Sequence, residues 1–576
     1  MIAKYGYDKY PVIEIKGEGF AVDGTQNVKN AIGKICRRSQ KKTVVAVDCY
    51  IGVYSDDMFS KIFADGGFRK VIKSDECAKE ISAIDGMIAR NLTDDRVFGV
   101  MSFQTLDEFF DEEKVKRARE EIEAIDEGVV LVYGVGASLI VKPDVLIYCD
   151  LARWEIQLRY RSGMPNWLCN NTQEDTLRKY KRGFFVEWRI ADRHKVRIFD
   201  EIDYFLDTTT SDYKLISGDT LRKGLRQTVE RPFRLVPFFD PGVWGGQWMK
   251  EVCGLSDEAE NYAWCFDCVP EENSLFLSYD GVRVEIPSLD LVLTHPRELL
   301  GEKVHARFGA EFPIRFDFLD TVGGQNLSLQ VHPLTEYIQN TFGMHYTQDE
   351  SYYILDAKED SCVYLGVKKG VTAQQFIPAL EEAQTSLKFD DRKFVNCFPA
   401  KKHDHFLIPA GTVHCSGRNT MVLEISATPY IFTFKLWDWD RLGLDGRPRP
   451  VHVNHGKHNV QYDRDTEWVK ENLINRIEPV KKGDGFLEER TGLHEREFIE
   501  TRRHWFTKPV EIETLGGVQV LNLVEGKEAI VESVDGSFEP YAVHYAETFI
   551  VPAKISAFRL VPQDKLCAVI RAYVRT

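Results

Sequence analysis

The chain has 576 residues, enough for three or four domains at roughly 100–200 residues each. Its 43% hydrophobic, 12% aromatic and 28% charged composition is that of a chain folded throughout, and it excludes disordered and fibrous classes. The 74 Lys+Arg against 89 Asp+Glu leave a formal charge of −15, the wrong sign for a polyphosphate or anionic-membrane partner; no nucleic acid and no membrane are expected, while a local basic pocket for one small anion remains compatible with it.

The first stretch, MIAKYGYDKYPVIEIKGEGF, has no signal-peptide core, and no run of about 18 apolar residues occurs further on. A soluble, cytoplasmic protein is expected. From about residue 40 to 205, β-rich runs (KTVVAVDCY, DDRVFGVMSF, GVVLVYGVGASLI) alternate with charged helical segments such as DEFFDEEKVKRAREEIEAI, the pattern of βαβ units around a parallel sheet. These runs, with LRKYKRGFFVEWR after them, faintly resemble the strand and lid order of uridine-kinase-like P-loop proteins. A working P-loop needs G-x-x-x-x-G-K-[ST] after the first strand; here VVAVD is followed by CYIGVYSDD. The resemblance therefore implies a degenerate domain serving scaffolding, dimerisation or sugar-nucleotide sensing, with Arg178, Lys181, Arg182 and Arg189 as surface cations.

From about residue 232 the texture changes to short strands separated by Gly, Pro, Asn and Asp, with a helical insertion from Phe376 (FIPALEEAQTSL); the stretch from about 485 repeats it without the insertion. The expected architecture is an α/β domain over residues 1–225, an all-β sandwich or barrel over 226–480 and a smaller β-sandwich over 481–576. Twelve scattered cysteines suit reduced core thiols. Cys265 and Cys268 have CxxC spacing, but without a second pair a four-thiolate zinc site is not expected. His544, near only Glu547, is expected to be structural.

The chemistry concentrates in GGQNLSLQVHP, residues 323–333. In a strand, residues two apart share a face, so Gln330 and His332 project together. Glu350 begins another strand-like run, and Pro409-x-Gly411-x-x-His414 forms a turn that puts His414 at the start of the next. Two imidazoles, a carboxylate and an amide oxygen suit a divalent metal of zinc type.

With Gly324 separated by five residues from Gln330-x-His332, and His414 in AGTVH, both halves resemble the two cupin signature motifs. Gln330 in the first-ligand place resembles class I mannose-6-phosphate isomerases. FPIRFDFLDTVGGQNLSLQVHP, DESYYIL, IPAGTVH, Val243-Trp244-Gly245-Gly246 and TFKLWDWDR are similar to that family's ordered motifs across about residues 232–480. The resemblance implies cupin (jelly-roll) folds for the β domains and one Zn²⁺ or other divalent metal per chain at Gln330, His332, Glu350 and His414. It also implies an isomerase that interconverts mannose 6-phosphate and fructose 6-phosphate through a cis-enediol. Glu424 is then either an acid/base or a carboxylate orienting a ligand; Lys435 stands where the family has Arg; Arg441 matches a later Arg that is catalytic or structural. Two departures bear on the substrate: Asp317 replaces a family Lys, and Gln348-Asp349 replaces Gly-Lys. Arg315, on the same strand face as Asp317, is placed to compensate. An unphosphorylated or differently phosphorylated sugar, or a non-catalytic sugar-binding regulatory protein, are the alternative expectations.

Overall fold

The computed structural model describes residues 3–36, 41–444, 446, 449–492 and 494–576. The chain divides into two compact units. One comprises Val12–Thr228 with Ser274–Thr294, the other Met1–Pro11, Val229–Asn273 and His295–Thr576.

The first unit is α/β. Its main sheet runs Ala21–Asp23, Lys214–Ser217, Tyr204–Asp207, Val145–Asp150, Thr43–Cys49, Val129–Gly134, Lys70–Lys73; the last five strands are mutually parallel, and the first two antiparallel. Thr43–Cys49 is buried at every position, which explains its unbroken apolar run: helices cover both faces of such a sheet. Helix Glu112–Glu123 begins where Asp111 accepts hydrogen bonds from the backbone N–H groups of Glu113 and Lys114. Ser274–Thr294 belongs here for two reasons. Strand Ser274–Tyr279 pairs in parallel with Val12–Glu14, and Asp290 closes a buried ion-pair triad in which Lys195 lies 2.6 Å from Asp150 and 2.7 Å from Asp290. One expectation is corrected. Arg178 is exposed, but Lys181 and Arg182 are buried. Lys181 donates to the carbonyls of Thr93 and Asp95, and Arg182 pairs with Glu187 at 2.8 Å and Asp85 at 3.0 Å. A guanidinium held by two carboxylates can leave water, which the sequence pattern alone did not reveal.

The second unit is β-rich and antiparallel. One six-stranded sheet runs His405–Ile408, Glu350–Ala357, Thr420–Ala427, Ile314–Asp320, Trp264–Cys268, Phe238–Asp240; a five-stranded sheet runs Val395–Pro399, Cys362–Val367, His414–Ser416, Leu329–Val331, Phe434–Trp437. Helix Ala373–Ser386 is the expected insertion, beginning three residues before Phe376 because Thr372 and Gln375 form a capping box. Beyond residue 478 a six-stranded and a four-stranded sheet enclose Phe506, Leu521, Leu523, Val531, Phe549, Phe558 and Val569. The first residues join this unit through buried polar contacts: Tyr7 donates its hydroxyl to Asp267 at 2.6 Å, and Asp267 also accepts the Thr548 N–H at 2.9 Å. Cys265 and Cys268 are buried, unbridged thiols on strand Trp264–Cys268, whose register shifts between Phe266 and Cys268. Among the described residues, no helix is long and apolar enough to cross a membrane.

Candidate metal centre

Strand register brings the sequence candidates together. In the five-stranded sheet Gln330 stands opposite His414 on one side and Lys435 on the other, and directly opposed residues share a face. In the six-stranded sheet Arg315, Ser426 and Glu350 form one transverse row, and Asp317, Glu424 and Tyr352 form the next, two residues along and on the same face. The two sheets meet at Glu350. Its Oε1 lies 2.7 Å from His414 Nε2 and its Oε2 lies 3.2 Å from His332 Nε2.

Donor atoms of His332, Glu350 and His414 all fall within 4.8 Å of one another, and each residue is buried. His414 Nδ1 lies 2.8 Å from the Thr412 carbonyl, and His332 Nδ1 lies 3.4 Å from that of Phe432. A carbonyl only accepts, so each Nδ1 carries the proton and each Nε2 presents a lone pair. Neither His332 Nε2 nor Glu350 Oε1 has a hydrogen-bond partner. These atoms therefore converge on a common point without satisfying one another, an arrangement that is costly when buried unless a cation sits among them. Gln330 completes the set: its amide faces His414 Nε2 at 3.2 Å, and a half-turn of that amide exchanges Nε2 for Oε1. The donor set fits a divalent cation of zinc type.

The turn before His414 is pinned from several sides. Gly411 has φ +90°, donates its N–H to the His332 carbonyl at 2.9 Å, and leaves no room for a Cβ, which would lie 2.9 Å from the Asn459 carbonyl. Arg464, fully buried and fifty residues downstream, donates to the carbonyls of Pro409 at 2.7 Å and Ala410 at 2.6 Å. Sequence reasoning missed Arg464, since nothing local marks it. The Trp244-Gly245-Gly246 motif acts through backbone packing: a Cβ on Gly324 would strike the Trp244 and Gly245 carbonyls at 2.3 and 2.5 Å.

Beside the donor set stands Glu424. Burial and then the Glu350 carboxylate push it up to about 7, against the pull of Arg315. Gln348, a residue of the substrate departures, donates through Nε2 to Glu350 Oε2 and Glu424 Oε1, both at 3.2 Å. Asp317 forms an ion pair with Arg315, which also reaches Glu424 at 3.4 Å and Ser426 Oγ at 3.2 Å. Arg441 is held elsewhere: it pairs with Asp438 at 2.6 Å and donates to the Asn326 carbonyl at 2.6 Å, while Asp438 accepts from Ser328 Oγ, two residues before Gln330.

A family profile described as a domain of unknown function (DUF8485) matches residues 27–230, and the P-loop resemblance of that region finds no support. A mannose-6-phosphate isomerase of Bacillus subtilis strain 168 is 25% identical over 222 residues, 38% of this chain and 65% of the relative. One from Streptococcus mutans is 27% identical over 215 residues, 37% of this chain and 62% of the relative. The chain thus spans less than two thirds of these relatives' length. Among solved structures, the mannose 6-phosphate isomerase from Bacillus subtilis aligns with 60% of this chain and 99% of its own at 19% identity, with a TM-score of 0.49.

Proposed function

We propose that this chain is a metal-dependent aldose–ketose isomerase of cupin type acting on a small sugar, with mannose 6-phosphate and fructose 6-phosphate as the substrate pair. The observation that carries the reading is the buried convergence of His332, Glu350 and His414 with Gln330 beside them, next to a carboxyl group poised near neutrality. The similarity to mannose-6-phosphate isomerases, limited as it is to part of each chain, supports the same reaction class.

Isomerisation removes a proton from C2 and returns it at C1 through a cis-enediol, so it needs a group that both accepts and gives a proton near pH 7. Glu424 has that property; in this reading its carboxyl carries the proton between the two carbons, and Gln348 and Ser426 hold it in place, the latter by a 2.9 Å hydrogen bond. A divalent metal bound at Gln330, His332, Glu350 and His414 would supply polarisation of the substrate oxygens. Lys435, opposite Gln330 in register, offers a positive charge for an oxyanion or a phosphate. Arg441, tied to Asp438, positions the segment entering Gln330 rather than touching substrate.

A second reading, an unphosphorylated sugar, is favoured by one observation: Arg315 is committed to Asp317 and Glu424, which leaves that wall rich in carboxylates. Turnover of mannose 6-phosphate against mannose by zinc-loaded protein separates the two. Turnover of neither would overturn the isomerase reading.

A further inference from the structure

One cavity of the β-rich unit lies away from the metal centre. It has a volume of 920 Å³ and is lined by Lys4 and Tyr5, by Trp248, by Asp356 and Lys358, and by loops of the terminal sandwich that carry Lys527 and Lys565. Strand Glu350–Ala357 links the two places: its first residue is a candidate metal ligand and its last residues reach the cavity, roughly 20 Å away at 3.3 Å per residue.

Charge in this cavity runs against that of the whole chain. Five lysines and four carboxylates line it, a local excess of cations on a chain of net charge −15. One carboxylate is ion-paired, Glu525 with Lys402 at 2.6 Å; Asp356 accepts the Trp248 indole N–H at 3.0 Å, Asp564 accepts the Lys527 backbone N–H, and these two keep their charge, as does Glu251. The ammonium groups of Lys358, Lys527 and Lys565 have no ion-pair or hydrogen-bond partner among the described residues, and that of Lys4 lies only over its neighbour's ring, Tyr5, at 5.3 Å. Four ammonium donors therefore stay available around one depression, against three carboxylates, a net excess of one positive charge on an otherwise acidic chain that suits a small anion. The aromatic part of the lining is ordered. Tyr545 and Trp248 are buried with ring centroids 6.2 Å apart, and Tyr5 stands edge-on to Tyr545 at 5.3 Å. An aromatic floor beneath a ring of ammonium groups matches a ligand with a C–H-rich face and a charged end.

We infer that this cavity is a second ligand site, separate from the metal centre, that takes a phosphorylated monosaccharide: the sugar lies against Trp248 and Tyr545 and the phosphate is held by Lys358, Lys527 and Lys565. The inference does not depend on the isomerase reading, because it concerns binding at residues that the metal centre does not use.

The test is calorimetric titration of the full chain, metal-stripped or carrying His414→Ala, with mannose 6-phosphate, mannose and inorganic phosphate in turn. Saturable binding of mannose 6-phosphate is expected in both forms, at least tenfold tighter than either mannose or phosphate. The exposed double substitution Lys527→Glu/Lys565→Glu should weaken it at least tenfold with an unchanged melting temperature, and Lys358→Ala should weaken it several-fold. Binding that disappears with the metal and with His414 would place the ligand at the metal centre and overturn the inference. So would equal affinity for phosphate and mannose 6-phosphate, or indifference to both sets of lysine substitutions.

Discussion

Arg315 and Asp317, two residues apart on strand Ile314–Asp320, close an ion pair inside the β-rich unit with both side chains buried. The pair neutralises the carboxylate that would otherwise repel a phosphate dianion, and it also occupies the guanidinium that could bind one. Asp317→Asn should release Arg315 while leaving it the Glu424 contact at 3.4 Å. The expected result is a several-fold rise in kcat/KM for mannose 6-phosphate relative to mannose; an unchanged ratio would remove this pair from the substrate pocket. Arg315→Ala should act differently. It strands a buried carboxylate and should cost about 3–5 kcal/mol of stability, read from denaturant unfolding.

The purified chain should hold about one divalent metal ion, measured by elemental analysis, because donor atoms of His332, Glu350 and His414 converge while His332 Nε2 and Glu350 Oε1 have no hydrogen-bond partner. His414→Ala removes one donor and should lose the metal. Thr412 contributes its backbone carbonyl to His414 Nδ1, so Thr412→Ser, which keeps the hydroxyl that donates to Pro409 and accepts from Arg464, should leave metal content intact. A native protein without metal that gains none on dialysis against zinc would sink the site.

Glu424→Gln keeps the shape and the Ser426 contact but cannot carry a proton. If Glu424 is the acid/base, kcat should fall by about 10²–10⁴-fold with metal content unchanged. Loss of metal with the same substitution would instead make Glu424 an orienting carboxylate. Arg441→Ala is the contrasting case: with its guanidinium spent on Asp438 and a backbone carbonyl, the main effect should be on the melting temperature, with kcat changed less than in Glu424→Gln.

What could be read in the sequence was what local periodicity encodes. Gln330 and His332 share a face because strands repeat every two residues, and the Gly411 turn forces His414 to start a strand. The row Asp317–Glu424–Tyr352 was not legible, because register between strands a hundred residues apart leaves no local signature. For the same reason Ser274–Thr294 gave no sign of joining the α/β unit: its membership rests on pairing with Val12–Glu14 and on Asp290 meeting Lys195. Lys181 and Arg182 read as solvated cations because the Asp95 carbonyl and Asp85 lie far away in sequence, while Glu187, five residues from Arg182, does not by itself signal a buried pair.

Asp207 and Glu285 give the α/β unit a pH dependence of predictable sign. Glu285 is buried, and burial followed by the nearby Asp207 carboxylate pushes it up to about 8 from an ordinary 4.5. Its backbone N–H donates to Asp207 Oδ2 at 2.9 Å, and its side chain accepts from Ser274 Oγ at 2.5 Å, so the two acids are locked close together. Between about pH 4.5 and 8 the folded state holds a proton that the unfolded state has released, so this carboxyl reduces stability as pH rises through that window. The slope for one such group is at most about 1.4 kcal/mol per pH unit. Glu285→Gln keeps an acceptor for Ser274 and removes the titration. Its melting temperature should therefore fall less than that of the parent chain between pH 5.5 and pH 8.5, and the two should be nearly equal only below about pH 4, where Glu285 is protonated in both folded and unfolded states. Because Asp320, pushed up to about 7 by burial, titrates in the same direction in both proteins, the difference between them reports the Asp207–Glu285 pair. Parallel pH profiles for the two proteins would mean that Glu285 stays ionised in the folded state and that Ser274 and the backbone around it stabilise the charge.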